Sequence, residues 1–288
     1  MIPNEYDICI SLDLDEIMMP GWKEEILKIW NDDIDRLKYV YNWYIENDIP
    51  KISFYADKIH KRNGCKWTYP VHEVLKFDHV EKQIVTDNII INHYPDREKS
   101  RANYLPLLEL SIQENPLNDR NMHYLGREYM YYGRWNDAID TLIKYLRLES
   151  ATWKDERCAS MRFISRCYKN LNRYDEAEMW LLKAIKEAPY LRDPYTELAM
   201  LYYTLEDYNN VCKYGKKALK IKNHPKTYIN EVFSYDETLN DLLSIAYFNL
   251  GDYKNAIKNA KLALKINPNN ERIKNNLKIF ESIQKAED

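Results

Sequence analysis

Four stretches in the C-terminal part of the chain share one arrangement of hydrophobic and polar positions. Each begins with a stretch in which apolar residues recur at helical spacing and which contains an aromatic residue. A short polar turn follows. After the turn, a second aromatic residue precedes a small residue by three positions. The aromatic and small pairs are Trp135/Ala138, Tyr174/Ala177, Tyr208/Val211 and Tyr253/Ala256. Two antiparallel helices pack closely only where a small side chain faces a large one, so the pattern predicts stacked helix pairs.

Residues that favour helix ends lie between these predicted helices. Gly133 and Gly251 fall in the turn inside a pair, where a positive φ costs glycine little. Pro189 and Pro268 follow the second helix of a pair, which a proline cannot continue.

The four stretches resemble the tetratricopeptide repeat, whose period is about 34 residues. The resemblance covers roughly residues 120–280. The insert KNHPKTYINEVFSY (222–235) is predicted to lengthen one connection, and WKDERCAS (153–160) a second. Such arrays bind peptides or partner subunits, or nothing at all, so the repeats alone assign no ligand.

A different pattern begins the chain. The β-prone stretch YDICISL (6–12) leads directly into Asp13, Leu14, Asp15 and Glu16. If the strand continues, carboxylates at i and i+2 lie on the same side of it. Oxygen ligands of this kind suit Mg²⁺ or Mn²⁺ and, through the metal, a diphosphate. The alternative is a solvated acidic turn before the next helix.

The following stretch is predicted to alternate between helix and strand. Apolar residues near helical spacing predict one amphipathic helix through Trp22, Ile26, Trp30, Leu37, Tyr41 and Tyr44. Strands are predicted at residues 52–61, 65–77 and 83–94. Polar residues interrupt these strands at His72, Glu73 and His93, which makes them candidate site residues. The alternative for each histidine is a structural imidazole.

Composition narrows the class of protein. Of the 288 residues, 30% are charged and 45% hydrophobic, a globular balance, and the net charge of −3 gives no reason to expect nucleic-acid binding. The five cysteines never form a CxxC pair, so a zinc site or a disulfide scaffold is not expected. No signal peptide or membrane span is evident, and a cytoplasmic location is expected.

The order of motifs over nearly the whole chain resembles the family 2 glycosyltransferases of GT-A fold that carry C-terminal tetratricopeptide repeats. The shared features are the DLDE after a strand, the HE of WTYPVHEVL, the I-x-H of IINHY, and a basic helix beginning with Arg101 and Asn103 before the first repeat. The resemblance implies an α+β, GT-A-like region at 1–104 and an all-α tetratricopeptide-repeat superhelix at 105–288.

The resemblance also implies roles for individual residues. Asp13 and Asp15 correspond to the DxD motif, with Asp15 the direct ligand of Mn²⁺ or Mg²⁺ on the nucleotide-sugar donor and Glu16 its companion. His93 is a further metal or phosphate ligand. Glu73, or else His72, is the base of an inverting transfer to an acceptor, for which a peptide or protein is one possibility.

One departure from that family leaves a second function open. The DxD of the family follows an N-terminal half that binds the nucleotide, whereas Asp13 stands near the start of this sequence. The chain is therefore expected to be a fragment, one polypeptide of a split enzyme, or a relative in which the repeats have become the working part. In the last two cases homo-oligomers are expected, and the alternative function is a non-catalytic scaffold that binds proteins.

Overall fold

The computed structural model describes residues 7–69, 71, 73–95, 104–225 and 227–287. His72, Arg101 and Asn103 lie outside these described residues. The chain divides into two compact units. The N-terminal unit is Met1–Gln113 with Lys226–Tyr228, and the helical unit is Glu114–Pro225 with Ile229–Asp288.

A five-stranded sheet organises the N-terminal unit. Its strands are β1 (Ile8–Ile10), β2 (Glu16–Met18), β3 (Arg36–Glu46), β4 (Ile49–Lys61) and β7 (Gln83–His93). Their order is β1-β4-β3-β7-β2, and all neighbours are antiparallel except β3 and β7, which run parallel. A separate antiparallel hairpin is formed by β5 (Cys65–Thr68) and β6 (Val74–Phe77).

The apolar face of this sheet is covered by helix α1 (Trp22–Ile29). Ile26 of α1 packs into a core of alternate residues from the central strands: Leu37, Tyr39, Tyr41, Ile59, Ile89 and Ile91. Alternate residues of a strand point to the same face, which explains why β3 buries every second side chain here.

The single amphipathic helix predicted through Tyr44 is wrong in its second half. The helix ends at Ile29, and Leu37, Tyr41 and Tyr44 lie on β3. The run RLKYVYNWYIE is rich in aromatic and β-branched residues, which favour a strand. Positions four apart share a face in a strand as well as in a helix, so the spacing did not distinguish the two.

The helical unit contains four antiparallel helix pairs and a final helix, preceded by α2 (Tyr104–Glu114). The helices are α3 (Asp119–Tyr131), α4 (Trp135–Arg147), α5 (Lys154–Asn170), α6 (Tyr174–Glu187), α7 (Asp193–Thr204), α8 (Tyr208–Lys220), α9 (Thr238–Asn249), α10 (Tyr253–Ile266) and α11 (Glu271–Glu287). None of the helices among the described residues is both long enough and apolar enough to cross a membrane.

The predicted small positions are the points of closest helix approach. The small residues of the second helices are completely buried: Ala138, Ala177, Val211 and Ala256, then Ala184, Ala218 and Ala263. Gly126 of α3 is packed so tightly that an added Cβ would lie 2.5 Å from Cγ of Leu142. The sequence interpretation of the small residues is therefore confirmed.

The turn inside each pair has one residue with positive φ. Gly133 and Gly251 have φ of 71° and 76°, as predicted, and Asn172 and Glu206 take the corresponding positions with φ of 57°. Asparagine tolerates this region better than most residues, whereas glutamate adopts it at some cost. The turn geometry is thus kept even where the sequence lacks glycine.

One of the two predicted inserts lengthens a connection and the other does not. Residues 221–237 connect α8 to α9, whereas the α4–α5 connection is only Leu148–Trp153. Residues of WKDERCAS from Lys154 onward belong to α5, so this stretch extends the helix instead of the loop. Asp155 and Glu156 in its first turn favour a helix start, since acidic residues interact well with a helix N-terminus.

Candidate functional site

The acidic motif of the N-terminal unit lies in a tight turn between β1 and β2. The amide of Glu16 donates to the carbonyl of Asp13 at 3.1 Å, which closes the turn. Because the strand ends at Ile10, the predicted strand geometry for Asp13 and Asp15 is wrong, and their side chains have different partners.

Glu16 is the buried centre of this turn. Its carboxylate accepts hydrogen bonds from the Tyr41 hydroxyl at 2.8 Å, from Nζ of Lys58 at 3.2 Å and from the amide of Asp13 at 3.0 Å. Burial, and next the hydrogen bond to Glu16, raise the pKa of Tyr41 above its ordinary value. The phenol therefore stays neutral and remains a donor to Glu16.

Lys58 occupies the space beside Asp13. Its ammonium also donates to Asp13 at 2.8 Å. Burial alone would lower the pKa of Lys58, but the bonds to Asp13 and Glu16 outweigh burial and raise it. A fixed ammonium thus lies where the resemblance expected Asp13 to hold a metal.

Asp15 lies beside His93. Nε2 of His93 is 3.5 Å from a carboxylate oxygen of Asp15, and Nδ1 is 3.0 Å from the carbonyl of Trp43. A carbonyl only accepts, so Nδ1 donates in its contact with Trp43, and Nε2 faces Asp15. The imidazole also stacks on the Trp43 ring at 4.5 Å. The structure thus brings two predicted site residues together.

Glu73, one of the two residues predicted as the base, does not lie in the turn that holds Asp15. Glu73 is exposed and precedes β6 in the separate hairpin, and His72 lies outside the described residues. Within the described part of the chain, no group of three or more His, Cys, Asp and Glu side chains is arranged to hold a metal. Asp15 and His93 alone offer two ligands, so the residues fit Mg²⁺ or Mn²⁺ only together with phosphate oxygens from a donor.

A second group of polar residues lies on the helical unit. The first helices of successive pairs, α3, α5, α7 and α9, contact one another in that order. We call the surface that they form the first-helix face. In helical-repeat proteins, surfaces built from the same element of each repeat provide extended binding sites.

Buried ion pairs connect α5 and α7 on the first-helix face. Arg162 and Arg166 lie one helical turn apart on α5. Arg162 donates to Glu197 of α7 at 2.8 Å, and Arg166 donates to both carboxylate oxygens of Glu197 at 3.0 and 2.7 Å. Asp193, one turn before Glu197, lies 3.8 Å from Arg162.

The charges in this cluster keep each other ionised. Burial alone would raise the pKa of Glu197, but Arg166 and Arg162 outweigh it and lower that pKa. Burial alone would likewise lower the pKa of Arg162, but Glu197 and Asp193 raise it. The guanidinium groups are thus charged and held in one orientation, which prepares them to donate hydrogen bonds to other groups.

Those other groups belong to the long connection between α8 and α9. Arg162 donates to the carbonyl of Ile229 at 2.6 Å, and the amide of Glu231 donates to Asp193 at 2.7 Å. The carboxylate of Glu231 accepts from Arg166. The first-helix face therefore holds a segment of the same chain by its main chain and by one carboxylate.

This cluster was not selected from the sequence, although two signals existed. The insert was recognised as a longer connection, but its position on the first-helix face was not predicted. Arg162 and Arg166 are spaced i, i+4, so they lie on the same face of a helix. Neither signal identifies the partner, because Glu197 and Glu231 are distant in sequence and meet only in the folded unit.

Comparison with protein-family models agrees with the geometry of the helical unit. Residues 163–190 match the model of the tetratricopeptide repeat. Residues 192–286 match the model described as the prolyl 4-hydroxylase peptide-substrate-binding domain, a tetratricopeptide type. The helical unit is a tetratricopeptide-repeat array. No curated protein matches the sequence significantly.

Solved structures similar to this chain include other tetratricopeptide-repeat proteins. A crystal structure of MamA is 20% identical, with a TM-score of 0.48, and the match covers 62% of this chain and 99% of that one. YrrB, described as a TPR protein with an unusual peptide-binding site, is 15% identical with a TM-score of 0.49, covering 62% and 84%. A thermophilic TPR protein of Thermus thermophilus, TTC0263, is 16% identical with a TM-score of 0.43, covering 61% and 88%.

Proposed function

We propose that the protein is a non-catalytic interaction scaffold whose first-helix face binds an extended stretch of a partner polypeptide. The observation that carries the proposal is the docked segment, which makes side chain to main chain hydrogen bonds with Arg162 and Asp193. Main-chain groups are common to all polypeptides, so a face that binds them suits segments of other chains. The match of residues 192–286 to a peptide-substrate-binding domain supports the same function.

The ion pairs make this face suitable for tight binding of a flexible chain. Arg162 and Arg166 are already fixed by Glu197, so they lose little side-chain freedom when a peptide arrives. Nη2 of Arg166 donates to Glu197 and also to the carboxylate of Glu231, so a partner's carboxylate can take the place of Glu231. A partner peptide therefore gains charge-assisted hydrogen bonds without ordering the receptor.

A peptide-display selection tests the proposal. Random peptides displayed on phage are selected against two forms of the full chain: the natural sequence, and an open variant in which residues 229–236 are replaced by Gly and Ser in the same number. We expect at least one form to enrich peptides whose binding weakens about tenfold or more in Arg166→Gln, because a charge-assisted hydrogen bond is lost.

The control is Arg173→Gln, which removes an exposed arginine paired with Glu176 on the same array. It should leave peptide binding unchanged. If neither form enriches a peptide that depends on Arg166, the proposed function is wrong.

A second candidate function is transfer of a sugar from a nucleotide-sugar donor to a peptide or protein acceptor. The proximity of Asp15 in the acidic turn and His93 at the end of β7, 3.5 Å apart, favours it together with the motif order. In this candidate, Mn²⁺ or Mg²⁺ held by Asp15, His93 and phosphate oxygens of the donor would neutralise the donor diphosphate. Glu16 supports the turn, and Glu73 or His72 is the base.

Isothermal titration with UDP-glucose, in the presence and absence of Mn²⁺, tests this candidate. We expect binding that requires Mn²⁺ and that Asp15→Asn abolishes, whereas Asp140→Asn, an exposed change on α4, leaves it unaffected. An absence of binding heat with Mn²⁺, or equal binding by Asp15→Asn, would remove the candidate.

A further inference from the structure

The connection between α8 and α9 differs from the other connections between helix pairs. It runs through residues 221–237, compared with Leu148–Trp153, Ala188–Arg192 and Asn267–Asn270 at the equivalent places. Its middle forms a 3-10 turn, Val232–Ser234, which contacts both α7 and α9. This 3-10 turn therefore lies on the first-helix face.

The first point of attachment combines an apolar and an acidic side chain. Ile229 is buried, and its carbonyl accepts from Arg162 at 2.6 Å. Two residues later, the carboxylate of Glu231 accepts from Arg166 and lies 3.6 Å from Arg162. The carbonyl of Ile229 and the carboxylate of Glu231 therefore meet at the same pair of arginines.

Asp193 fixes the main chain between these two side chains. Its carboxylate accepts from the amide of Glu231 at 2.7 Å and from the side-chain amide of Asn230 at 3.2 Å. Asp193 is itself almost completely buried. A buried carboxylate that accepts main-chain hydrogen bonds determines the register of the segment.

Arg192 attaches the segment at a second point. Its guanidinium donates to the carbonyl of Ser234 at 3.2 Å and to the carbonyl of Ile221, at the start of the connection, at 2.5 Å. It also lies 4.7 Å from the centre of the Tyr235 ring, which stacks on His224 at 3.6 Å. One arginine thus binds both the start of the connection and the 3-10 turn of the segment.

One hydrophobic cluster of the array, between α6 and α9, contains no residue of this segment. The core cluster between α6 and α9 consists of helix residues: Ala177, Leu181, Leu198, Ala199, Leu201, Tyr202, Val211, Cys212, Tyr214, Leu242, Leu243 and Ala246. The segment adds Ile229 and Ser234 as buried residues, and the rest of residues 229–236 is half-buried. The hydrogen bonds described above hold it through polar groups, and we expect its release to leave the cluster between α6 and α9 in place.

We propose that residues 229–236 are an internal ligand of the first-helix face, which a partner peptide displaces. The partner carries an apolar residue followed two positions later by a carboxylate, as Ile229 and Glu231 do. This inference rests on the proposed function and adds the occupant of the site and the chemistry of its partner.

The internal ligand makes binding selective. A segment tethered at both ends has an effective concentration of roughly millimolar or more, so weakly bound peptides do not displace it. A partner that matches the apolar and acidic pattern competes for the same groups. The array therefore responds to matching partners and remains closed to most other extended chains.

A labelled peptide with the sequence of residues 227–236, TYINEVFSYD, serves as the probe. Fluorescence anisotropy measures the affinity of this probe for two proteins: the full chain of natural sequence and the open variant. We expect saturable binding to the open variant, and binding about tenfold or more weaker to the natural chain, whose own segment competes. Replacing the glutamate of the probe by glutamine should weaken binding to the open variant by a similar factor.

Two results would overturn the internal-ligand proposal. One is equal affinity of the probe for the natural chain and the open variant. The other is no binding by an open variant that retains the helical circular dichroism of the natural chain. A displayed peptide that binds both forms equally through Arg166 would keep the proposed function and reject the internal ligand.

A point variant tests the same proposal in case the open variant does not fold. Glu231→Gln removes the carboxylate that binds Arg166, and Glu149→Gln, at an exposed position, is the matched control. We expect amide hydrogen exchange in residues 229–236 to rise about tenfold or more in Glu231→Gln. Exchange in α5 and α7 should not change. If α5 and α7 exchange faster by the same factor, the segment is a part of the fold and the proposal is wrong.

Discussion

Replacement of Arg162 tests the importance of the buried cluster most clearly. The Arg162 side chain is 2% exposed and lies 2.8 Å from Glu197 and 2.6 Å from the carbonyl of Ile229. Arg162→Met keeps a long apolar side chain in the same place but removes the charge. The negative charges of Glu197 and Asp193 then remain buried with one positive charge fewer beside them.

The expected loss follows from those contacts. Breaking a buried ion pair by removing one partner costs about 3 to 5 kcal/mol. Arg166 still donates to Glu197, so we place the loss in the unfolding free energy at the lower end, about 3 kcal/mol. For a unit of this size, that corresponds to a fall of roughly 6 to 12 °C in the melting temperature.

Urea denaturation followed by far-ultraviolet circular dichroism measures this effect. The control is Arg173→Met, which removes an exposed i, i+3 pair with Glu176 and should leave the urea midpoint almost unchanged, since exposed ion pairs contribute little. If Arg162→Met destabilises the array no more than Arg173→Met does, the reasoning about the buried cluster is refuted.

Three further predictions concern the array. Gly126→Ala should lower the free energy of unfolding by about 1 to 3 kcal/mol, since its Cβ would overlap Leu142; an unchanged urea midpoint would contradict this. Asp252→Ala should cost about 1 kcal/mol in the same assay, because Asp252 caps α10 by accepting from the amide of Asn255 at 3.1 Å; Asp252→Asn, which keeps the cap, is the control. The folded pKa of Glu197 lies below its unfolded value, so its stabilisation is present above about pH 4 to 5 and is lost as the pH falls through the folded pKa. The urea midpoint should therefore fall more steeply with acid in the natural chain than in Glu197→Gln, and equal slopes would exclude this cause.

The repeats could be predicted because their packing depends on residue size at fixed intervals. Ala177 and Ala256 are completely buried where the second helices approach their partners. Such positions are visible in a single sequence, since each repeat requires a small residue at the same place. The longer connection before α9 was visible for the same reason, as an interruption of the regular spacing.

The partners of the site residues could not be predicted, because sequence spacing does not show which distant residues meet in the folded chain. Asp13 and Asp15 lie in a turn, and the ammonium of Lys58, forty-five positions from Asp13, lies beside it. Leu37 and Tyr41 have the same four-residue spacing in a strand as in a helix, so their element was assigned wrongly. Both the position of Lys58 and the strand at Leu37 and Tyr41 depend on pairing between segments that are distant in the sequence.

A co-crystal structure tests the central claim most directly. The open variant would be crystallised with the synthetic peptide TYINEVFSYD, which has the sequence of residues 227–236. We predict that the peptide lies along α5 and α7, with its glutamate at Arg166 and its main chain at Arg162 and Asp193. A peptide bound elsewhere, or no bound peptide at saturating concentration, would contradict the claim that the first-helix face binds extended polypeptides.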